Sequence, residues 1–186
     1  MSAKREQLID TASRLFARHG FHATGIDTVL AESGIAKKTL YNHFRTKNEL
    51  ILAVLRKHDS AFRNSFMRQV EALADKPGDR LLAIFDVAEN WFAQNNFYGC
   101  LFINAVGEYS DADSPIREIC REYKKLMRDY INDLAEEAGA LNPQQLADEL
   151  AILLEGAIVT AQVSQNKNAA EIAKRVAANL ISDALT

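Results

Sequence analysis

The chain has 186 residues, 48% apolar and 25% charged, with eight Gly and three Pro. That length and composition support one or two compact domains with a buried core, and so few turn residues exclude a chain of many short strands. A net charge of −3 argues, taken whole, against a polyanionic partner. Cys100 and Cys120 are too few for a disulfide framework and form no CxxC pair, so both are expected as reduced, buried thiols. The polar start MSAKREQLID does not read as a secretory signal. The longest uncharged stretch, Asn90 to Gly107, contains too many amides for a membrane span. An intracellular, cytoplasmic protein is the expectation.

Apolar residues recur at helical spacing along most of the chain, without a run of period-two alternation. The first helix places Leu8, Ile9, Ala12, Leu15 and Phe16 on one face and should stop at Gly20, with Phe21 folding back onto Phe16. A short helix from Ile26 to Ser33 ends at Gly34, and a second runs from Ala36 to His43. Thr46-x-x-Glu49 is a capping box opening a long helix striped with Leu50, Ile51, Val54, Leu55, Phe62, Phe66, Val70 and Leu73. Pro77-Gly78 separates it from a helix near Asp79 to Gln94. Ser114-Pro115 starts another, ending near Gly139, and Asn142-Pro143-x-Gln145 starts one reaching about Gln165. A last helix covers about Ala169 to Ala184. The expected fold is all-α, with about nine helices.

Charge is distributed unevenly. Through His58 there are ten Lys/Arg against five Asp/Glu, whereas the remaining 128 residues carry twelve against twenty. A basic helical head of +5 therefore precedes an acidic helical body of −8. Local charge, not the total, decides phosphate binding.

The two short helices across Gly34 have helix-turn-helix spacing. Val29, Leu30, Ile35, Leu40 and Phe44 would form the core beneath them, which turns Lys38, Thr39, Tyr41 and Asn42 outward. Those groups suit groove and phosphate contacts, while Lys37, His43 and Lys47 at the edges suit phosphates.

From Ile9 to Leu52 the chain resembles the DNA-binding head of tetracycline-repressor (TetR) family regulators. The resemblance is carried by Gly20-Phe21, the Gly34 turn, T-L-Y-x-H-F from Thr39 to Phe44, and K-x-E-L from Lys47 to Leu50. It implies a helix-turn-helix DNA-binding domain over 1–46 and a ligand-binding and dimerisation domain over 47–186. The recognition helix would be Ala36 to His43, with Tyr41, His43 and Lys47 on phosphates. Thr24 and Gly25 would bring the preceding helix N-terminus to another phosphate, where free N–H groups favour an anion. Gly25 and Ala36 stand where many relatives have Ser or Thr, and Leu30 where Ala is common, so two hydroxyl contacts are missing.

The resemblance also implies a homodimer on a palindromic operator, paired through helices 143–165 and 169–184, and release by a small-molecule effector. The first of these helices carries Leu146, Leu150, Leu153, Ala157, Ile158 and Ala161, and the second Ile172, Val176, Leu180 and Ile181. Polar groups within apolar stretches, Asn104, Glu108, Glu155 and Gln162, together with Trp91, Phe92, Cys100, Tyr123 and Met127, are the candidate lining of an effector pocket. No cofactor or metal is expected. His19-x-x-His22 has no nearby cysteine, no histidine has Glu three residues before it, and no phosphate loop, G-x-S-x-G or H-E-x-x-H motif occurs. An enzyme is therefore disfavoured. A helical protein whose basic head meets a partner other than DNA is the remaining alternative.

Overall fold

The computed structural model describes residues 2–166 and 168–186. Among them are nine α-helices: α1 (Ala3–His19), α2 (Ile26–Ser33), α3 (Lys37–His43), α4 (Lys47–Leu73), α5 (Pro77–Phe92), α6 (Leu101–Glu108), α7 (Pro115–Glu137), α8 (Pro143–Ser164) and α9 (Ala169–Ala184). No described residue lies in a strand, and no helix among them is long and apolar enough to cross a membrane.

The caps explain most of the boundaries. Gly20 ends α1 at φ 87°, with its N–H donating to the Phe16 carbonyl at 2.9 Å. Its ψ of 165° is extended, so the stop is not the left-handed turn expected, yet Phe21 does stack on Phe16 at 5.0 Å. At α4 the Thr46 hydroxyl accepts from the Glu49 N–H at 3.2 Å, while the Glu49 carboxylate reaches the N–H of Arg45 rather than that of Thr46. The capping box is thus shifted by one residue. Asn142 caps α8 by accepting from the Gln145 N–H, with Pro143 at the first turn. Pro77 begins α5 itself, two residues earlier than the spacing predicts, because proline's preset φ suits a first helical position. The short α6 has no cap signature in the sequence, and its start follows Gly99 at φ 80°.

The chain forms two compact units. The first comprises residues up to Ala61 with Leu101–Tyr123, and the second Phe62–Cys100 with Lys124–Thr186. The expected division after residue 46 falls inside the first of these. Helices α4 and α7 each supply residues to both units, so no linker composition marks the boundary.

In the first unit Leu8, Phe16, Phe21, Val29, Leu40, Leu50 and Leu55 are fully enclosed. Phe102 stacks on Tyr123 at 3.8 Å, and His58 lies against Phe102 at 5.6 Å. Lys57 on α4 reaches Glu6 and Asp10 on α1, both at 2.7 Å. In the second unit α5, α8 and α9 pack together around Leu81, Ile84, Phe85, Leu150 and Leu154. Ala170, Ala173 and Ala177 face that core, and their small side chains permit close helix approach. Trp91 meets Phe62 at 4.8 Å and Phe97 at 5.0 Å, edge to face.

Candidate nucleic-acid interface

The head is built on a pair of short helices whose relation is set by one glycine. Gly34 takes a left-handed conformation (φ 66°, ψ 16°) and donates its N–H to the Leu30 carbonyl at 3.0 Å. A Cβ there would meet nothing within 4 Å, so glycine is favoured by φ and not by space. Beyond the turn, Ile35, Leu40 and Phe44 are buried with Val29, as their spacing predicts, whereas Leu30 is only half-buried. Arg5 of α1 lies over the Phe44 ring at 5.2 Å, against the end of α3.

With Leu40 and Phe44 inward, Lys38, Tyr41 and Asn42 stand exposed on the opposite side of α3. Lys37 is exposed and pairs with Asp27 at 3.5 Å, while Thr39 and His43 are half-buried at the margins. Ala36 caps α3 and Gly25 caps α2, both exposed and without a side-chain cap. The N–H groups of the first turn of α2 are therefore open to an anion.

Thr24 is placed differently from a phosphate-binding hydroxyl. It is buried, and its hydroxyl donates to the Gly20 carbonyl at 2.8 Å, locking the connection between α1 and α2. Lys47 is half-buried and donates to the His22 carbonyl at 3.4 Å. Burial lowers its pKa, an effect partly opposed by the Glu108 carboxylate.

Glu108 departs from expectation most. Its carboxylate accepts the N–H of Phe21 at 2.7 Å and that of His22 at 2.6 Å, and lies 3.0 Å from His22 Nδ1. The group is engaged by the α1–α2 connection. Burial pushes its pKa up, but the two backbone N–H groups and His22 outweigh that and leave it below the usual carboxylate range. The neighbouring Tyr109 stacks on the His22 ring at 4.8 Å. A polar residue at the end of an apolar helix was the only sequence signal, and it did not identify the partner.

The other pocket candidates divide between the units. Asn104 and Tyr123 belong to the first, Tyr123 being stacked on Phe102. In the second unit Trp91 and Phe92 belong to the aromatic cluster, and Met127 is buried. Lys124, which periodicity had not singled out, approaches the Cys100 thiol at 3.6 Å and pairs with Glu155. Gln162 lies so close to Gly99 that a Cβ there would fall 2.0 Å from its amide. A separate cavity of about 500 Å³ in the second unit, beside Pro77, Leu82, Glu137 and Ile181, is lined by none of the nine candidates.

The expected dimer stripe also changes. Leu146, Leu150, Ala157, Ile158, Ala161 and Ile181 are buried within this single chain, and Leu153 and Leu180 are half-buried. Ile172 and Val176 of the expected stripe are exposed on α9, and outside that stripe Ile152, Val159 and Val163 are exposed on one face of α8 with Gly156.

A short helix pair with a glycine turn, an inward apolar pair on the second helix and an outward cationic, amide and phenol face is a DNA-binding helix-turn-helix. Residues 8–54 match the model of the bacterial regulatory proteins of the tetR family, and residues 77–177 match that of the tetracyclin repressor-like C-terminal domain. The chain therefore belongs to the TetR family and is a DNA-binding transcriptional regulator. That family is one of transcriptional regulators, not enzymes.

Among its relatives, the HTH-type regulator YerO of Bacillus subtilis is 38% identical over 82 residues, which are 44% of this chain and 28% of that protein. The activator FasR of Mycolicibacterium smegmatis is 46% identical over 55 residues, 30% of this chain and 25% of FasR. These two matches thus span about a quarter of each relative's length. SCO4454, a TetR-family regulator of Streptomyces coelicolor, superimposes with a TM-score of 0.91 at 26% identity, covering 98% of this chain and 96% of that one. The reduced form of Escherichia coli NemR shares the fold, with a TM-score of 0.87 at 24% identity and 96% of each chain covered.

Proposed function

We propose that the protein is a repressor that binds a palindromic operator as a homodimer and is released by a small-molecule effector. The exposed Lys38, Tyr41 and Asn42 on a helix anchored by Leu40 and Phe44 carry this assignment. Asn42 reads base edges, where an amide can pair bidentately with adenine. Lys37, Lys38, Tyr41, His43 and Lys47 hold phosphates, and Thr39 lies at the groove margin. The backbone N–H groups at Gly25 and Ile26 receive one phosphate at the start of α2, with Thr24 fixing their position through Gly20. Ala36 lets the backbone of α3 approach the DNA without a side-chain contact.

Paired recognition helices read two half-sites separated by about one helical turn or a multiple of it. The pairing surface is the exposed stripe of Ile152, Val159 and Val163 on α8 with Ile172 and Val176 on α9. Contiguous exposed apolar area of this kind marks an association surface, and a two-fold axis makes one patch self-complementary. The effector binds in the body, where Cys100, Lys124, Glu155 and Gln162 offer orienting polar contacts beside Trp91, Phe92 and Met127. It favours a conformation whose recognition helices no longer match the half-sites, so effector and DNA weaken each other reciprocally.

Gel shifts across a salt series test the DNA contacts. Lys47→Ala is expected to weaken binding on all sequences and to reduce the salt slope by about one, the loss of one phosphate contact. Asn42→Ala should instead change which base is preferred within the half-site, at roughly 1–3 kcal/mol of discrimination. Wild-type behaviour in both variants contradicts the assignment.

A further inference from the structure

We propose that Glu108 is a positioning residue for DNA binding, acting from α6 on the α1–α2 connection more than eighty residues away in sequence. The proposal rests on the assignment of the α2 N-terminus and Lys47 to phosphates. Its basis is a carboxylate with both oxygens engaged by consecutive main-chain donors. Oε1 takes the Phe21 N–H at 2.7 Å, and Oε2 takes the His22 N–H at 2.6 Å and lies 3.0 Å from the His22 imidazole. These two N–H groups follow the end of α1, where the backbone has no helical partner to offer them. A carboxylate is suited to this place because it is purely an acceptor with two oxygens.

The surrounding residues are arranged around that contact. Gly20 has φ +87°, and a Cβ on it would lie 2.9 Å from Glu108 Oε1. Glycine at this point both permits the backbone turn and leaves room for the carboxylate. Phe21, just beyond, is fully buried against Phe16, so the connection is fixed on its apolar side as well. The carbonyl of Gly20 then accepts the Thr24 hydroxyl, and the carbonyl of His22 accepts Lys47 Nζ.

Glu108 thus holds residues 21 and 22, residue 22 holds Lys47, and residue 20 holds Thr24 directly before the first turn of α2. Removing the carboxylate releases two adjacent donors and loosens both phosphate-facing elements together. A Gln at 108 retains an acceptor for only one of the donors and presents an NH₂ to the other.

The test uses a duplex selected from a random-sequence library by the wild-type protein, with binding followed by fluorescence anisotropy across a salt series. Glu108→Gln is expected to lose at least tenfold in affinity while keeping its helical circular dichroism and a cooperative melt. Its salt slope should fall by about one, as Lys47 loses its fixed position. Gly20→Ala should weaken binding too, and adding it to Glu108→Gln should cost less than the sum of the two effects.

Unchanged affinity and slope in Glu108→Gln overturn the proposal. Should that variant fail to fold, hydrogen exchange on the unmodified protein decides. Slow exchange of the Phe21 and His22 amides supports the clamp, and exchange at the unprotected rate overturns it. Lys47→Ala separates the two levels. Wild-type binding in that variant overturns the phosphate assignment beneath the proposal, whereas a loss in Lys47→Ala with none in Glu108→Gln overturns the proposal alone.

Discussion

Replacing Ile152 and Val163 together by glutamate is expected to yield a folded monomer that has lost operator binding. Both side chains are largely exposed in the single chain, at 72% and 76%, so their replacement removes little of its core. Substitutions at such positions usually change stability by no more than about 0.5 kcal/mol. Within a paired interface the result differs, because four carboxylates would be buried against apolar partners across the two-fold axis, each without a counter-charge. A dimer grips its two half-sites with an avidity on the order of 10² to 10⁴ above that of one head, and this gain is what the variant loses. Sedimentation equilibrium and operator anisotropy measure the two consequences separately. A variant that sediments as the wild type does, or a wild type that is monomeric at micromolar concentration, contradicts the pairing through α8 and α9.

Acidification from pH 7 to 4.5 is expected to cost the fold roughly 2–3 kcal/mol through His58 alone. Burial beside Phe102 lowers its pKa from 6.5 to about 4, slightly opposed by Asp59. Below pH 6.5 the unfolded chain takes up a proton that the folded protein refuses. The contribution is therefore complete above about pH 6.5 and is lost as pH falls toward 4. Glu108, whose pKa burial raises but the His22 and Phe21 N–H groups bring below its ordinary value of 4.5, adds a loss of the same sign at the acid end, as pH falls through its lowered pKa. Urea unfolding at the two pH values provides the measurement, with His58→Gln as the comparison in which the acid-dependent part disappears. Equal stability of the wild type at pH 7 and 4.5 would count against a buried, neutral His58.

Local patterns foretold most of the head. Gly34 between two short helices, Leu40 and Phe44 one turn apart, and Thr46 three residues before Glu49 are short-range features, and each produced the element expected. The outward set Lys38, Tyr41 and Asn42 followed from the inward pair, since a seven-residue helix has little choice of faces. The body was less legible. Its stripes showed that α8 and α9 are helices, but both sides of α8 are apolar. Periodicity could not tell the core side, Leu150, Leu154 and Ala157, from the exposed side, Ile152, Val159 and Val163. The short α6 lacked a cap signature, so the direction of its polar residues was not available.

Charge is where the two levels meet. Composition and order along the chain were sufficient to turn a net −3 into a basic head of +5 and an acidic body of −8, and to assign a phosphate-facing surface to the head. What required tertiary structure was the partner of each charge. Glu108 lies in the acidic part of the chain but is bound to the main chain of the basic part, and Lys47 in the head is turned toward the His22 carbonyl. Helical periodicity reports which residues share a face over a few turns. It carries no information on which distant backbone donors a carboxylate will meet, because that depends on contacts between residues far apart in the chain.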